Sequence, residues 1–250
     1  MIRTLWTGLV VAGATVFYGV AAIFQSLLGR KDGDWYARVT AKWARAIIWA
    51  SGCPVRAHGL ENVKSGEAQV IVSNHVSWFD VFAIASVLEV PFHFIAKKEL
   101  ERIPVFGAAW KAAGHISIDR SNREAAVRSL REAGEKIRRD ASAVIIFAEG
   151  TRSRDGSLQP FKKGAFQLAS ASGVAVVPTV VTGSFSIMPP GSWTVHPHPI
   201  DVHFLPPVQP DRALGTEGLM DEVRGMIAGE LRRSEPPERH FPTPGPPETQ

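Results

Sequence analysis

Cysteine is almost absent from this chain. Cys53 is the only one in 250 residues, so no disulfide can close within the chain and no cysteine-based metal site can form. That scarcity fits a reducing compartment. Zinc-finger spacing and the aromatic signatures of RNA-binding modules are also missing, so nucleic acid is not an expected partner. No internal repeat is visible. Charge is missing from one place in particular. Residues 4–29, "TLWTGLVVAGATVFYGVAAIFQSLLG", hold no Asp, Glu, Lys or Arg. Over the whole chain the composition is ordinary: 45% hydrophobic residues exclude a polytopic membrane protein. The formal net charge of +4 and the pI of about 9.4 suit an anionic partner such as phospholipid, a phosphorylated substrate or an acidic carrier protein.

The uncharged run exceeds the roughly 20 apolar residues that cross a bilayer. It also overshoots the core of a cleaved signal peptide, about 7–15 residues. Arg3 precedes it, and Arg30 and Lys31 follow. The denser basic flank on the far side favours a cytoplasmic body under the positive-inside rule. A second helix is expected over "DWYARVTAKWARAIIWASG". There Tyr36, Val39, Trp43 and Ile47 share one arc, and Arg38, Lys42 and Arg45 another. Trp35, Trp43 and Trp49 suit the headgroup level of a membrane. Residues 1–52 therefore read as a membrane-docking helical hairpin, one helix inserted or shallow and one interfacial. Two ordinary helices of a soluble core are the alternative.

Residues 53–233 alternate between strand and helix patterns. Strands are expected at 68–73, 92–96, 115–118, 143–147, "VAVVPTVVT" and "IDVHFL". Helices are expected after 73 through about Leu88, over "PVFGAAWKAAG", over 121–140, over "FKKGAFQLASASG" with Gly173 as stop signal, and over 214–233. In the third of these helices Ser121 and Glu124 form a capping box, and Val127, Leu130 and Ile137 supply the apolar stripe. The pattern implies an α/β domain with a mixed, largely parallel sheet flanked by helices. The tail, 234–250, is rich in proline and polar residues and reads as disordered.

One stretch, "IVSNHVSWFD" (71–80), ends a strand in Asn74-His75 and places Asp80 five residues after the histidine. With Ser77 as N-cap, Asp80 falls in the first turn of the next helix, where side chains point back toward the N-terminus. Its carboxylate can then accept from one nitrogen of His75, leaving the other as a base beyond the strand end. That is where parallel sheets bind ligands. The plainer reading makes Asp80 a cap and His75 a turn residue. Further stretches end strands at the same edge. "AKKEL" carries Lys97 and Lys98, "GHISIDR" carries Arg120, and "FAEGTRS" carries Glu149, Gly150, Thr151 and Arg152. Basic side chains converging beside a base suit a phosphate, which Arg binds bidentately.

These blocks, "NHVSWFD", "GHISIDR", "FAEGTRS" and "VAVVPTVV" in this order, resemble the glycerolipid acyltransferases across roughly residues 59–207. Ala148 stands where that family's third block has proline. The resemblance implies a glycerolipid acyltransferase-like fold in which His75, charged and oriented by Asp80, is the general base. A lysophospholipid hydroxyl would attack an acyl thioester, with 1-acylglycerol 3-phosphate as acceptor and phosphatidic acid as product. It further implies that Lys97, Arg120 and Arg152 hold the phosphate, while Glu149 positions the glycerol or braces the arginines beside Gly150 and Thr151. Acyl-CoA or acyl carrier protein would be the co-substrate and membrane lipid a partner, with no metal or other cofactor. Alternatives are an acyltransferase for another lysolipid such as a lyso-ornithine lipid, and a catalytically inactive lipid-binding protein. A hydrolase using Ser77 lacks the glycine pattern of a nucleophile elbow. His196 and His198 alternate like strand-borne metal ligands but lack further ligands.

Overall fold

The most apolar short runs form the centre of the sheet. The computed structural model describes residues 1–30, 32–119 and 121–234. In it β2 (Gln69–Ser73) and β5 (Ala143–Phe147) are buried almost throughout, as is β6 (Ala175–Thr182). Continuous Val/Ile runs fit strands covered on both faces, because neither side needs a polar alternate. Outside them lie β3 (Phe92–Lys97) and β4 (Ile116–Ile118) on one flank, and β7 (Ile200–Phe204) and β1 (Val55–His58) on the other. The order is β1-β7-β6-β2-β5-β3-β4. Only β6 and β7 pair antiparallel, so the sheet is mixed and largely parallel as expected.

Helices cover both faces. Beneath α2 (Gly33–Ser51), α3 (Phe79–Val87), α4 (Phe106–Ala112) and α7 (Ser184–Ile187) lies one core cluster, including Ile71, Phe79, Trp110, Ile145 and Ile187. Beneath α5 (Arg123–Arg139), α6 (Gly164–Ser172) and α8 (Gly215–Ser234) lies the other, including Val70, Ile137, Val144, Phe166 and Val223. Successive residues of each strand alternate between the clusters, the two-residue period of a pleated strand.

The N-terminal helices differ in how they pack. In α2, Asp32 caps the N-terminus through Trp35 N (3.0 Å) and left-handed Gly52 closes the helix. Tyr36 and Ile47 are buried as their shared arc implied, but Val39 and Trp43 are only partly so. The closest packing is made by Ala37, Ala41, Ala44 and Ala50. Small side chains let α2 settle between α3 and α1 (Ile2–Leu27), so one face of α2 belongs to the core, while Arg38, Lys42, Arg45 and Trp49 stay exposed on the other. Trp49 alone of the three tryptophans stays mostly exposed, against Trp6. Helix α1 is long and apolar enough to cross a membrane, by length and composition. Its outward face leaves Leu5, Leu9, Phe17 and Phe24 exposed.

Several local expectations are corrected. Asn122, not Ser121, caps α5, accepting from Ala125 N at 3.0 Å. The Ser121 hydroxyl turns instead to Asp119. Val127 is 53% exposed, and the buried positions are Ala133 and Ile137, with Leu130 packed beside them. The sequence pattern missed β1 and α7, both only four residues long. His196 and His198 lie in the connection before β7 rather than on a strand. Helix α8 runs through Ser234, and 235–250, the remainder of the expected disordered tail, lie outside the described residues.

Candidate active site

The site begins where β2 stops. Asn74 leaves the strand and latches it to β6: its amide donates to Val181 O and its carbonyl accepts from Val181 N, both at 2.9 Å. His75 follows. Its backbone N–H donates to Glu149 Oε1 (2.6 Å) and its carbonyl accepts from Ser153 N (2.8 Å). The imidazole stacks on Phe147, the last residue of neighbouring β5, at 4.0 Å between ring centres. The register that sets Ser73 beside Phe147 brings that ring to the histidine.

Asp80 is fully buried. Oδ2 accepts from His75 Nδ1 (2.8 Å), Val76 N (2.7 Å) and Ser77 N (2.9 Å), and Oδ1 accepts from the Ser184 hydroxyl. Four donors hold the carboxylate in one orientation. The expected cap is thus only half formed. Helix α3 starts one residue later than the Ser77 cap implies, with Trp78 at the N-cap position and no side-chain cap bond. Asp80 still reaches back to Ser77 N, but Ser77 Oγ accepts from Phe79 N (3.3 Å) and donates to Met188 O (2.8 Å). A buried, doubly engaged hydroxyl is no nucleophile, which removes the Ser77 hydrolase.

With Nδ1 on Asp80, Nε2 is the nitrogen free to accept a proton. The imidazole is 13% exposed, enough to meet a substrate and little enough to keep its orientation. Glu149 is also buried. Oε2 accepts from Gln159 N at 2.9 Å, so both its oxygens tie loop backbone together and it reaches the site through the His75 N–H. Burial raises its pKa to about 7, against the lowering effect of the Gln159 and His75 N–H bonds.

The other expected residues that are described follow or end β5 and β3 at their carboxyl ends. Gly150 turns the chain at φ +75°, a left-handed conformation that side-chain-bearing residues rarely adopt and that favours glycine. Thr151 is exposed. Arg152 lays its guanidinium over the Trp78 ring, 4.9 Å from the centroid. A guanidinium held by its face keeps its N–H edges for an anion. Lys97 is exposed at the carboxyl end of β3. Arg120 lies outside the described residues. Ala148, at the position of the family's proline, is buried, and its carbonyl accepts from Lys162 N.

Two contributors escaped the sequence reading. Trp78 was quoted in its motif without a role. Ser184 lies 104 residues from Asp80. Its one signal is that it follows β6, a strand parallel to β2, and so emerges at the same edge. Gly183 makes its placement possible: φ is +84°, and a Cβ would stand 2.1 Å from Pro199 O.

A histidine–carboxylate pair at the carboxyl edge of a largely parallel α/β sheet, rimmed by basic and aromatic side chains, defines a class of enzyme. Such an arrangement can take a proton from a nucleophile held beside an anionic group. The family model for acyltransferases matches residues 54–182. A 1-acyl-sn-glycerol-3-phosphate acyltransferase of Limnanthes douglasii is 40% identical over 165 residues, 66% of this chain and 58% of that protein. One from Saccharomyces cerevisiae is 30% identical over 236 residues, 92% of this chain and 74% of that protein. The crystal structure of the 1-acyl-sn-glycerophosphate (LPA) acyltransferase PlsC from Thermotoga maritima superposes with a TM-score of 0.80 at 27% identity, covering 94% of this chain and 96% of that one. This chain belongs to the acyltransferase family. It spans less than two thirds of the length of the Limnanthes relative.

Proposed function

We propose that the chain transfers a fatty acyl group from an acyl thioester to the free hydroxyl of 1-acylglycerol 3-phosphate, forming phosphatidic acid. The observation that carries this reading is His75 held by Asp80 with Nε2 free, in a chain similar to proteins named for that reaction. Nε2 removes the hydroxyl proton as the oxygen attacks the thioester carbonyl. The imidazolium is stabilised by Asp80. Collapse of the tetrahedral intermediate breaks the C–S bond, and the imidazolium returns its proton to the departing thiolate. Only acceptor and thioester are consumed, so no cofactor enters, and the donor is coenzyme A or acyl carrier protein.

Arg152, with Lys97 and Arg120, meets the phosphate. An apolar cavity with an open mouth lies between α1, α2, α4 and β3. Gly19, Tyr36, Trp43, Phe94 and Trp110 line it, and it extends to Val81, next to Asp80. Hydrocarbon from a lipid fits such a space. The outward apolar face of α1 supports docking on a membrane, and the denser basic flank after it favours a catalytic body on the cytoplasmic side. The test is acyl transfer by purified protein with a panel of lysolipids and both donors. Preference for lysophosphatidic acid is expected. Preference for an acceptor without phosphate, such as a lyso-ornithine lipid, would overturn the substrate, and no transfer to any acceptor would overturn the activity.

A further inference from the structure

On the other face of the sheet, β1 and β7 gather side chains that acyl transfer does not use. Ile200, Val202 and Phe204 point into the core beneath α3. Asp201 and His203 must therefore point the opposite way, toward α8. The β1–β7 register sets His58 directly across from His203. His58 Nε2 meets Asp201 Oδ1 at 2.9 Å, and the two imidazoles stack at 4.4 Å. A nitrogen of each histidine and an aspartate oxygen lie within 4.8 Å of one another. A fourth residue stands behind them. His203 Nδ1 pairs with Glu230 Oε1 of α8 at 3.2 Å, and Arg233 braces Glu230 in turn. A carboxylate on Nδ1 fixes the ring and leaves Nε2 outward, the arrangement that backs metal-bound histidines.

We propose that His58, Asp201 and His203 bind a divalent transition-metal ion of the zinc type, with Glu230 as the outer carboxylate that orients His203. Two imidazoles and one carboxylate suit zinc with a water in the fourth position. Magnesium and calcium are disfavoured because they require oxygen ligands. Zinc bonds of about 2.0–2.2 Å set ligand atoms of a tetrahedron about 3.3 Å apart, so the 2.9 Å contact opens by about 0.4 Å and the widest closes by at most about 1.5 Å. Side-chain rotation supplies this at a surface where His58 and Asp201 are already half-exposed and partly exposed. The proton shared by His58 and Asp201 leaves on binding. The ion would clip β1, an edge strand of four residues, to β7 and through Glu230 to α8.

The experiment uses the tag-free full chain in detergent, stripped with EDTA and titrated with Zn²⁺ by calorimetry, with melting temperature as a second readout. One Zn²⁺ per chain and a raised melting temperature are expected, with neither effect from Mg²⁺. His58→Ala and the double variant His58→Ala/His203→Ala should lose both effects. His196→Ala/His198→Ala should keep them. Glu230→Gln should bind one ion about 10–100-fold more weakly. Three results would overturn the proposal: no stoichiometric binding by the wild type, wild-type binding by the double variant, or binding that follows His196 and His198. Because His58 is exposed, its replacement tests the site without disturbing the core.

Discussion

The corner between β2 and α3 and the loop between β5 and α6 face one another but are built in opposite ways. In the corner, each polar group of Asp80 is buried and paired, and most partners lie within five residues along the chain. In the loop, Thr151 is exposed and Arg152 partly exposed. The outer turn there is closed on itself by Asp155, which accepts from the Ser153 and Ser157 hydroxyls and Ser157 N. These bonds, the Ser157 hydroxyl first, hold its pKa down at about 2. The loop holds the corner through the Glu149 carboxylate and Ser153 N, which bind the His75 backbone fore and aft, and through Arg152, which lies over Trp78. A proton transfer needs one imidazole orientation, which burial and fixed donors supply. A charged headgroup arriving from a membrane needs cations that can reach it, which exposure supplies.

The sharpest way to break this contrast is to remove the base. His75→Ala should abolish acyl transfer in a detergent assay while circular dichroism stays native. Asp80→Asn should lower kcat by about 10⁴-fold, the scale of removing a triad carboxylate. Turnover near wild type in either variant would end the base assignment. Next, Arg152→Ala should raise KM for lysophosphatidic acid about 10–100-fold with kcat little changed, because charge-assisted hydrogen bonds contribute roughly 1.5–3 kcal/mol. Arg152→Lys should recover only part, since a point charge lacks the guanidinium edge. Ser184→Ala should move the other constant. Losing one donor to Asp80 should cut kcat about 10-fold or more with KM unchanged, and Ser184→Thr should restore much of it. Equal effects of the Arg152 and Ser184 variants on KM would erase the distinction between corner and loop.

The smallest expected effect is a pH dependence. Glu149 has a folded pKa raised from 4.5 to about 7. Between those values the folded state binds more protons than the unfolded state, so this group makes stability fall as pH rises from about 4.5 to about 7, with no penalty below that window. Glu149→Gln should remove that slope in chemical denaturation at a series of pH values. It also leaves one backbone N–H without its acceptor, so the variant should be less stable at the acid end of the window. An unchanged slope would show that another group carries it.

Much of this arrangement was readable from local chemistry. The apolar runs at 68–73 and 143–147 read as buried strands, as β2 and β5 are. The five-residue spacing from His75 to Asp80 spans one strand end and one helical turn, so it joins the two side chains whatever the rest of the chain does. The N-terminal run without charge marked α1. Local signals failed where competing caps were adjacent, as with Ser121 and Asn122, or where an element had four residues and no room to show a period, as with β1 and α7. The sequence by itself determined the histidine–aspartate pair, the basic strand ends and the α/β alternation, because each depends on residues a few positions apart. Only the tertiary structure decided that Ser184 completes the Asp80 shell, that Glu149 braces backbone, that one face of α2 belongs to the core and that His58 faces His203. Those contacts join residues that meet only through strand order and register, which no short window of sequence contains.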